Sequence, residues 1–269
     1  MPSPIAEQAA DVLKSLDMWR LPVDPFEIAK HEGIILRPGS YTDGFDARIE
    51  FYKPFKKFCI FYNRPQGWRT EGRVRFTLGH ELGHYYIDEH QLQLRAGKVH
   101  DSVSDYRSQN EIEKQADEFS ADLLMPIELY RNEVNRFLGQ YCTLDDLLKL
   151  ANHLGTSITS TALRYCQSDH EPCTFFFSQD GVVRWGRYST EMKIRGLSYF
   201  KSGTPPPKGS KTAKLWESIR TGEAAEPVAG VVDASVWFDR TFVRELWEEA
   251  RPLGNTGRVI TQITPHRRH

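Results

Sequence analysis

The sequence predicts an α+β protein: a helix-rich first part holding a small sheet, then a separate α+β segment that begins near Cys173. Three observations carry this. Val74, Leu78, Leu82, Tyr85 and Tyr86 fall on one face of a single helical frame, as a buried helix face requires. Gly44 to Tyr52 and Lys57 to Asn63 are rich in β-branched and aromatic residues and flank the turn Lys53-Pro54-Phe55-Lys56, which makes a hairpin. Thr174-Phe175-Phe176-Phe177 and Val182-Val183-Arg184-Trp185 flank Gln179-Asp180-Gly181, a second hairpin.

Taken in order, residues 5–16 form an amphipathic helix and residues 25–32 a second, which Gly33 ends before the strand Ile34-Ile35-Leu36. The first hairpin and Arg64-Pro65-Gln66-Gly67 lead into the helix around Leu78. Residues 88–108 hold no clear period and read as a long polar connection that could overhang a cleft. A helix from Glu113 ends near Met125, and Pro126 opens another to Leu138. Thr143 caps a helix closed by Gly155, and a further helix runs from about Ile158 to Tyr165. After the second hairpin come a loop at 203–210, a helix near 211–220, strands near 228–238, a helix near 241–250 and a strand near 257–264. Trp185, Trp216, Trp237 and Trp247 read as core and rim of this segment. The division expected is 1–138, a helix-turn-helix-like segment 139–168, and a small domain 169–269 that senses a ligand or holds a protein.

His80-Glu81-Leu82-Gly83-His84 is an H-E-x-x-H sequence. On a helix the two histidines lie one turn apart on one face, so both imidazoles can reach one Zn²⁺. Glu81 projects about 100° round the axis from His80, beside the metal, where it can deprotonate a water. Two residues compete as third ligand. His90 has the spacing of the metzincin pattern H-E-x-x-H-x-x-G-x-x-H, but Ile87 stands where that pattern needs glycine. If the helix continues, His90 lies about 9 Å further along the axis and faces solvent or stands behind the ligands. Glu113-Lys114-Gln115-Ala116-Asp117 is the better candidate, with Glu113 and Asp117 sharing a face. Glu113 would bind the metal and Asp117 would accept the free ring N–H of a ligating histidine. Ala116, Ser120 and Ala121 are small enough for this helix to approach the metal helix closely.

With Arg75-Phe76-Thr77-Leu78-Gly79 before His80, the Glu113–Asp117 stretch, and then Phe119-Ser120-Ala121-Asp122-Leu123-Leu124-Met125-Pro126, the sequence resembles the ImmA/IrrE family of metallopeptidases. That family reads R-x-T-x-x-H-E-x-G-H, then E-x-x-A-N/D-x-F-A-A-x-L-L-M-P. Leu21-Pro22-Val23-Asp24, the helix to His31-Glu32-Gly33-Ile34, and Phe58-Cys59-Ile60-Phe61-Tyr62-Asn63 look like its upstream parts. The resemblance spans roughly residues 5–166. Ser120 departs from the usual alanine and Asp88 from a frequent histidine; neither is a proposed ligand. The resemblance implies a zincin-like catalytic domain and a zinc (or Mn²⁺) endopeptidase that cuts one regulatory protein, often a DNA-binding repressor, after stress or in a mobile element. The donor that would stabilise the oxyanion is open among Tyr85, Tyr86, Tyr106, Tyr130, His90 and His100. A substrate could pair with an edge of the 44–63 hairpin.

The formal net charge of −1 over 269 residues gives no basis for nucleic acid or an anionic membrane as main partner. No apolar run approaches the roughly 20 residues of a membrane span, and Met1-Pro2-Ser3-Pro4 lacks the basic and apolar regions of a signal peptide. Cys59, Cys142, Cys166 and Cys173 form no C-x-x-C pair, which disfavours a disulfide framework and points to the cytoplasm. Two other classes stay open: a non-catalytic zinc-binding regulator, against which Glu81 speaks, and a DNA-binding protein using residues 143–166. In the second, Thr159, Ser160 and Thr161 come with one basic residue, Arg164, and with Asp145 and Asp146 close by.

Overall fold

The computed structural model describes residues 2–41, 45–64, 70–98, 100–102 (backbone only), 111–139, 141–194, 196–254 and 257–266. Among them the chain runs α1 (Pro4–Ser15), α2 (Pro25–His31), β1 (Ile35–Gly39), β2 (Ala47–Tyr52), β3 (Lys57–Asn63), α3 (Glu71–Tyr86), α4 (Asp88–Arg95), β4 (His100–Ser102), α5 (Glu111–Leu124) and α6 (Ile127–Phe137). It continues with α7 (Leu144–Leu154), α8 (Ile158–Ser168), β5 (Thr174–Gln179), β6 (Val182–Tyr188), α9 (Thr190–Ile194), α10 (Lys211–Thr221), β7 (Val228–Asp233), β8 (Glu245–Pro252) and β9 (Arg258–Pro265). The fold is α+β, as the sequence predicts. Two compact units divide it: Met1–Tyr130 with Ala151–Ser157, and Arg131–Leu150 with Ile158–His269.

In the first unit, helix starts follow side-chain chemistry. The Ser3 hydroxyl accepts from the Ala6 N–H at 3.1 Å, the Asp24 carboxylate from the Phe26 N–H at 3.0 Å, and the Thr70 hydroxyl from the Arg73 N–H at 3.3 Å. Pro4 and Pro25 occupy first turns, where the missing N–H is no loss. The sheet order is β1-β3-β2-β4, with β1 parallel to β3 and the other pairs antiparallel. Lys53 to Phe55 form a 3-10 turn, and Lys56 in a left-handed conformation (φ 50°) completes the hairpin. Ile28, Ile49, Ile60, Leu78, Leu82, Phe119 and Leu123 are buried in one core that joins sheet and helices. The first turn of α3 is held from outside: Arg75 donates to the Val23 carbonyl and sits 3.7 Å from Asp24. Gly155, at φ +64°, leaves it room, because a Cβ there would lie 2.9 Å from the Arg75 Nε.

In the β2–β3 hairpin, strand β3 is flanked by β1 and β2, and β4 covers β2 from Ala47 to Ile49, so along those residues the edge expected to receive a substrate is already paired. The polar connection 88–108 also differs from expectation, since α4 and β4 occupy its described part. Helix α4 buries only His90 and Leu94, too few apolar positions for a visible period.

The second unit carries an antiparallel sheet in the order β6-β5-β9-β8-β7. Phe176 stacks on Trp237 at 4.6 Å within a core that includes Val183, Phe238, Leu246 and Ile263. The Trp216 indole donates to Ser178 at 2.8 Å, while Trp247 is partly exposed. Residues 241–250, expected as a helix, contain instead the start of strand β8. Glu, Ala and Arg favour helix locally, but Leu246, Glu248 and Ala250 are buried at alternate positions and β7 and β9 pair with both edges. Glu248 is tolerated inside because Thr212, through N–H and hydroxyl, and the Trp237 indole donate to it at 2.6–3.0 Å.

Candidate metal centre

Helices α3 and α5 meet through small residues. A Cβ on Gly79 would lie 2.6 Å from the Ser120 Oγ, and one on Gly83 would lie 3.1 Å from the Ala116 Cα. The two glycines thus let the backbones approach where side chains on the next face must converge. Ser120 also donates to the Phe76 carbonyl at 2.7 Å, a bond the more usual alanine lacks.

On that face the structure brings His80, His84 and Glu113 together. The His80 Nε2 lies 3.2 Å from one Glu113 oxygen, the His84 Nε2 lies 3.7 Å from the other, and the two Nε2 atoms are 3.1 Å apart. The His80 Nδ1 donates to Asp117 at 2.8 Å, so its second nitrogen is the one turned to Glu113 and His84. Glu81 and His84 are fully buried and His80 nearly so, whereas Glu113 and Asp117 keep partial exposure.

Charge follows from this packing. Burial works against a charged His80, but hydrogen bonds to Asp117 and Glu113 and the nearby Glu81 carboxylate outweigh it and raise its pKa to about 10. For His84 burial wins and the pKa falls. Burial would raise the Glu113 pKa; hydrogen bonds from His80 and His84 overcome it and hold the carboxyl far below the usual range. The site therefore has a surplus of acceptors around two imidazoles, a set that suits a cation.

A tetrahedral Zn²⁺ with bonds of roughly 2.0–2.1 Å needs donor atoms about 3.3 Å apart. The histidine nitrogens are 3.1 Å apart, each lies 3.2 or 3.7 Å from its nearer Glu113 oxygen, and one donor atom from each residue lies within 4.8 Å of the others. Two imidazole nitrogens and a carboxylate oxygen are a donor set zinc accepts, and Mn²⁺ also takes such ligands. The residues fit the ion.

His90 is not solvent-facing. The backbone turns extended at Ile87 (ψ 114°), the helix restarts as α4, and His90 comes back fully buried with its ring 5.1 Å from that of His84. The helix does not continue through Ile87, so the separation of about 9 Å that a continuous helix implies does not apply. Sequence reasoning missed Gln115 altogether, whose Oε1 meets the His90 Nε2 at 3.0 Å; its place between Glu113 and Asp117 was the available sign. Of the oxyanion candidates, Tyr130 is fully buried, and Tyr85 donates to Glu32 at 2.9 Å with its pKa pushed to about 12 by burial and by that carboxylate. Tyr86 stacks on Phe119 in the core. Tyr106 and the His100 side chain lie outside the described residues.

Comparison with protein families matches residues 39–165 to the IrrE N-terminal-like domain, a peptidase family. No curated protein sequence matches the chain. Among solved structures, a Mycobacterium tuberculosis transcriptional regulator is similar in fold, with a TM-score of 0.58 and 11% identity, covering 97% of this chain and 87% of that one. The motifs around His80 and Glu113 lie inside the matched span, so residues 39–165 carry a domain of the IrrE N-terminal-like kind, that of the ImmA/IrrE family.

Proposed function

We propose that this protein is a zinc-dependent endopeptidase acting on one regulatory protein, by its family a DNA-binding repressor. The observation that carries the reading is the convergence of His80, His84 and Glu113 at ligand spacing beside a buried Glu81. His80, His84 and Glu113 would hold Zn²⁺, with Asp117 fixing the His80 tautomer through the 2.8 Å bond. When bound, the ion would supply Lewis acidity for the scissile carbonyl and for water. Glu81, one residue round the helix from the ligands, takes the proton of the attacking water on a carboxylate oxygen and passes it to the departing amine nitrogen. Burial strengthens that acceptor by excluding bulk water.

Residues 169–269 would hold the substrate or sense a ligand. A cytoplasmic setting belongs to the same proposal, supported by four buried cysteines that are all free thiols. Among the described residues no helix is long and apolar enough to cross a membrane. The DNA-binding reading draws on the likeness in fold to a transcriptional regulator, but Arg164, the one basic residue of α8, is buried and so is not on a surface that could meet phosphates. Steeply salt-dependent binding to duplex DNA would favour that reading instead.

The test is metal content. Purified protein is expected to carry about one Zn²⁺ per chain or to take up Zn²⁺ or Mn²⁺ readily. A His80→Ala/His84→Ala double variant should lose it; unchanged metal content in that variant would refute the assignment.

A further inference from the structure

Two histidines face the proposed ion, and each has a polar neighbour close to its ring. For His80 that neighbour is Asp117. For His84 the ring at hand is His90, 5.1 Å away and tilted by 45°. His90 sits in a short, largely polar helix yet is fully buried. Burying an imidazole costs free energy unless its polar atoms are met, so its position calls for a partner. Gln115 supplies one: its Oε1 can only accept, so the His90 Nε2 carries the proton and the ring orientation is fixed. Gln115 stands on α5 between Glu113 and Asp117, the same helix that provides the carboxylate ligand. Helix α4 is anchored at its start as well, where the Gln91 side chain donates to the Tyr85 carbonyl at 2.6 Å.

We infer that His90 is a positioning residue for the metal centre: braced by Gln115, its ring holds the His84 imidazole so that Nε2 aims at Glu113 and His80. This rests on the metal reading proposed above. The contact joins α3, α4 and α5 around one ligand, and the break at Ile87 is what brings His90 back to it. Loss of groups that orient a metal ligand typically weakens metal affinity by about 10–100-fold.

The experiment uses the full-length metal-free protein, with zinc affinity measured by competition against a chromophoric chelator and the d–d absorption of the Co²⁺-loaded form as a record of ligand geometry. His90→Ala and Gln115→Leu are each expected to weaken zinc binding by about 10–100-fold and to shift the Co²⁺ spectrum. Their effects should overlap in the double variant, and His90→Phe, which keeps a ring against His84, should recover part of the loss. Circular dichroism establishes that each variant is folded. If His90→Ala does not fold, Gln115→Leu decides. Zinc affinity within about twofold of wild type and an unchanged Co²⁺ spectrum, while His80→Ala loses the metal, would overturn this inference alone. Should His80→Ala also retain the metal, the metal-centre reading falls and this inference with it.

Discussion

In the proposed site, Glu81 and Asp117 would divide the chemistry at the scale of single residues. Glu81 shares helix α3 with both histidines but stands off their face, so it can serve as a base without being a strong ligand. Glu81→Gln keeps the shape and removes the proton acceptor. Zinc content and thermal melting should match wild type, while cleavage of the substrate falls by about 10²–10⁴-fold. Asp117 would act through His80. Asp117→Ala should leave the fold intact and weaken zinc binding by about 10–100-fold, read by chelator competition. An unchanged affinity would mean that the 2.8 Å bond to His80 does not orient the ligand. The convergence of His80, His84, Glu113 and Asp117 was legible because a metal site constrains their spacing. For His90 the sequence left solvent and a place behind the ligands both open, because its position depends on the backbone turn at Ile87, which no residue type announces.

Between elements, the packing of α3 on α5 decides whether the ligands meet. Gly83→Ala would set a methyl 3.1 Å from the Ala116 Cα, where backbone rather than a mobile side chain must yield. Overpacking of this kind costs about 1–3 kcal/mol, against about 1 kcal/mol gained from alanine's helix propensity. Because α5 carries Glu113, the displacement should lower zinc affinity more clearly than it lowers the melting temperature of the metal-free protein. Comparable melting with full zinc affinity would show that the glycine is not needed for convergence. Helices with caps and periodic faces, such as α1, α3 and α7, were readable from sequence. Strand β8 was not, because Glu245 to Pro252 favours helix locally and becomes a strand only through pairing with β7 on one edge and β9 on the other.

For the whole molecule, zinc should act as a stabilising ligand. If the folded chain alone binds it, free zinc at 1,000 times the dissociation constant adds about 4 kcal/mol, so chelation should lower the melting temperature and zinc restore it. A melting curve indifferent to chelator and zinc would count against a resident metal in the folded chain. The α+β class and the metal helices were visible in the sequence, since hairpin turns and ligand spacing are local. The sheet order β6-β5-β9-β8-β7 was not, because which strands become neighbours is set by packing of both sheet faces rather than by any one segment. The central claim is that Glu81 carries out peptide hydrolysis on a regulatory protein. It is tested most directly by co-expressing wild type or Glu81→Gln with candidate repressors encoded nearby and looking for a cleavage product by mass spectrometry. The account predicts one discrete product with wild type and none with Glu81→Gln, at equal zinc content; cleavage by Glu81→Gln at the wild-type rate would contradict it.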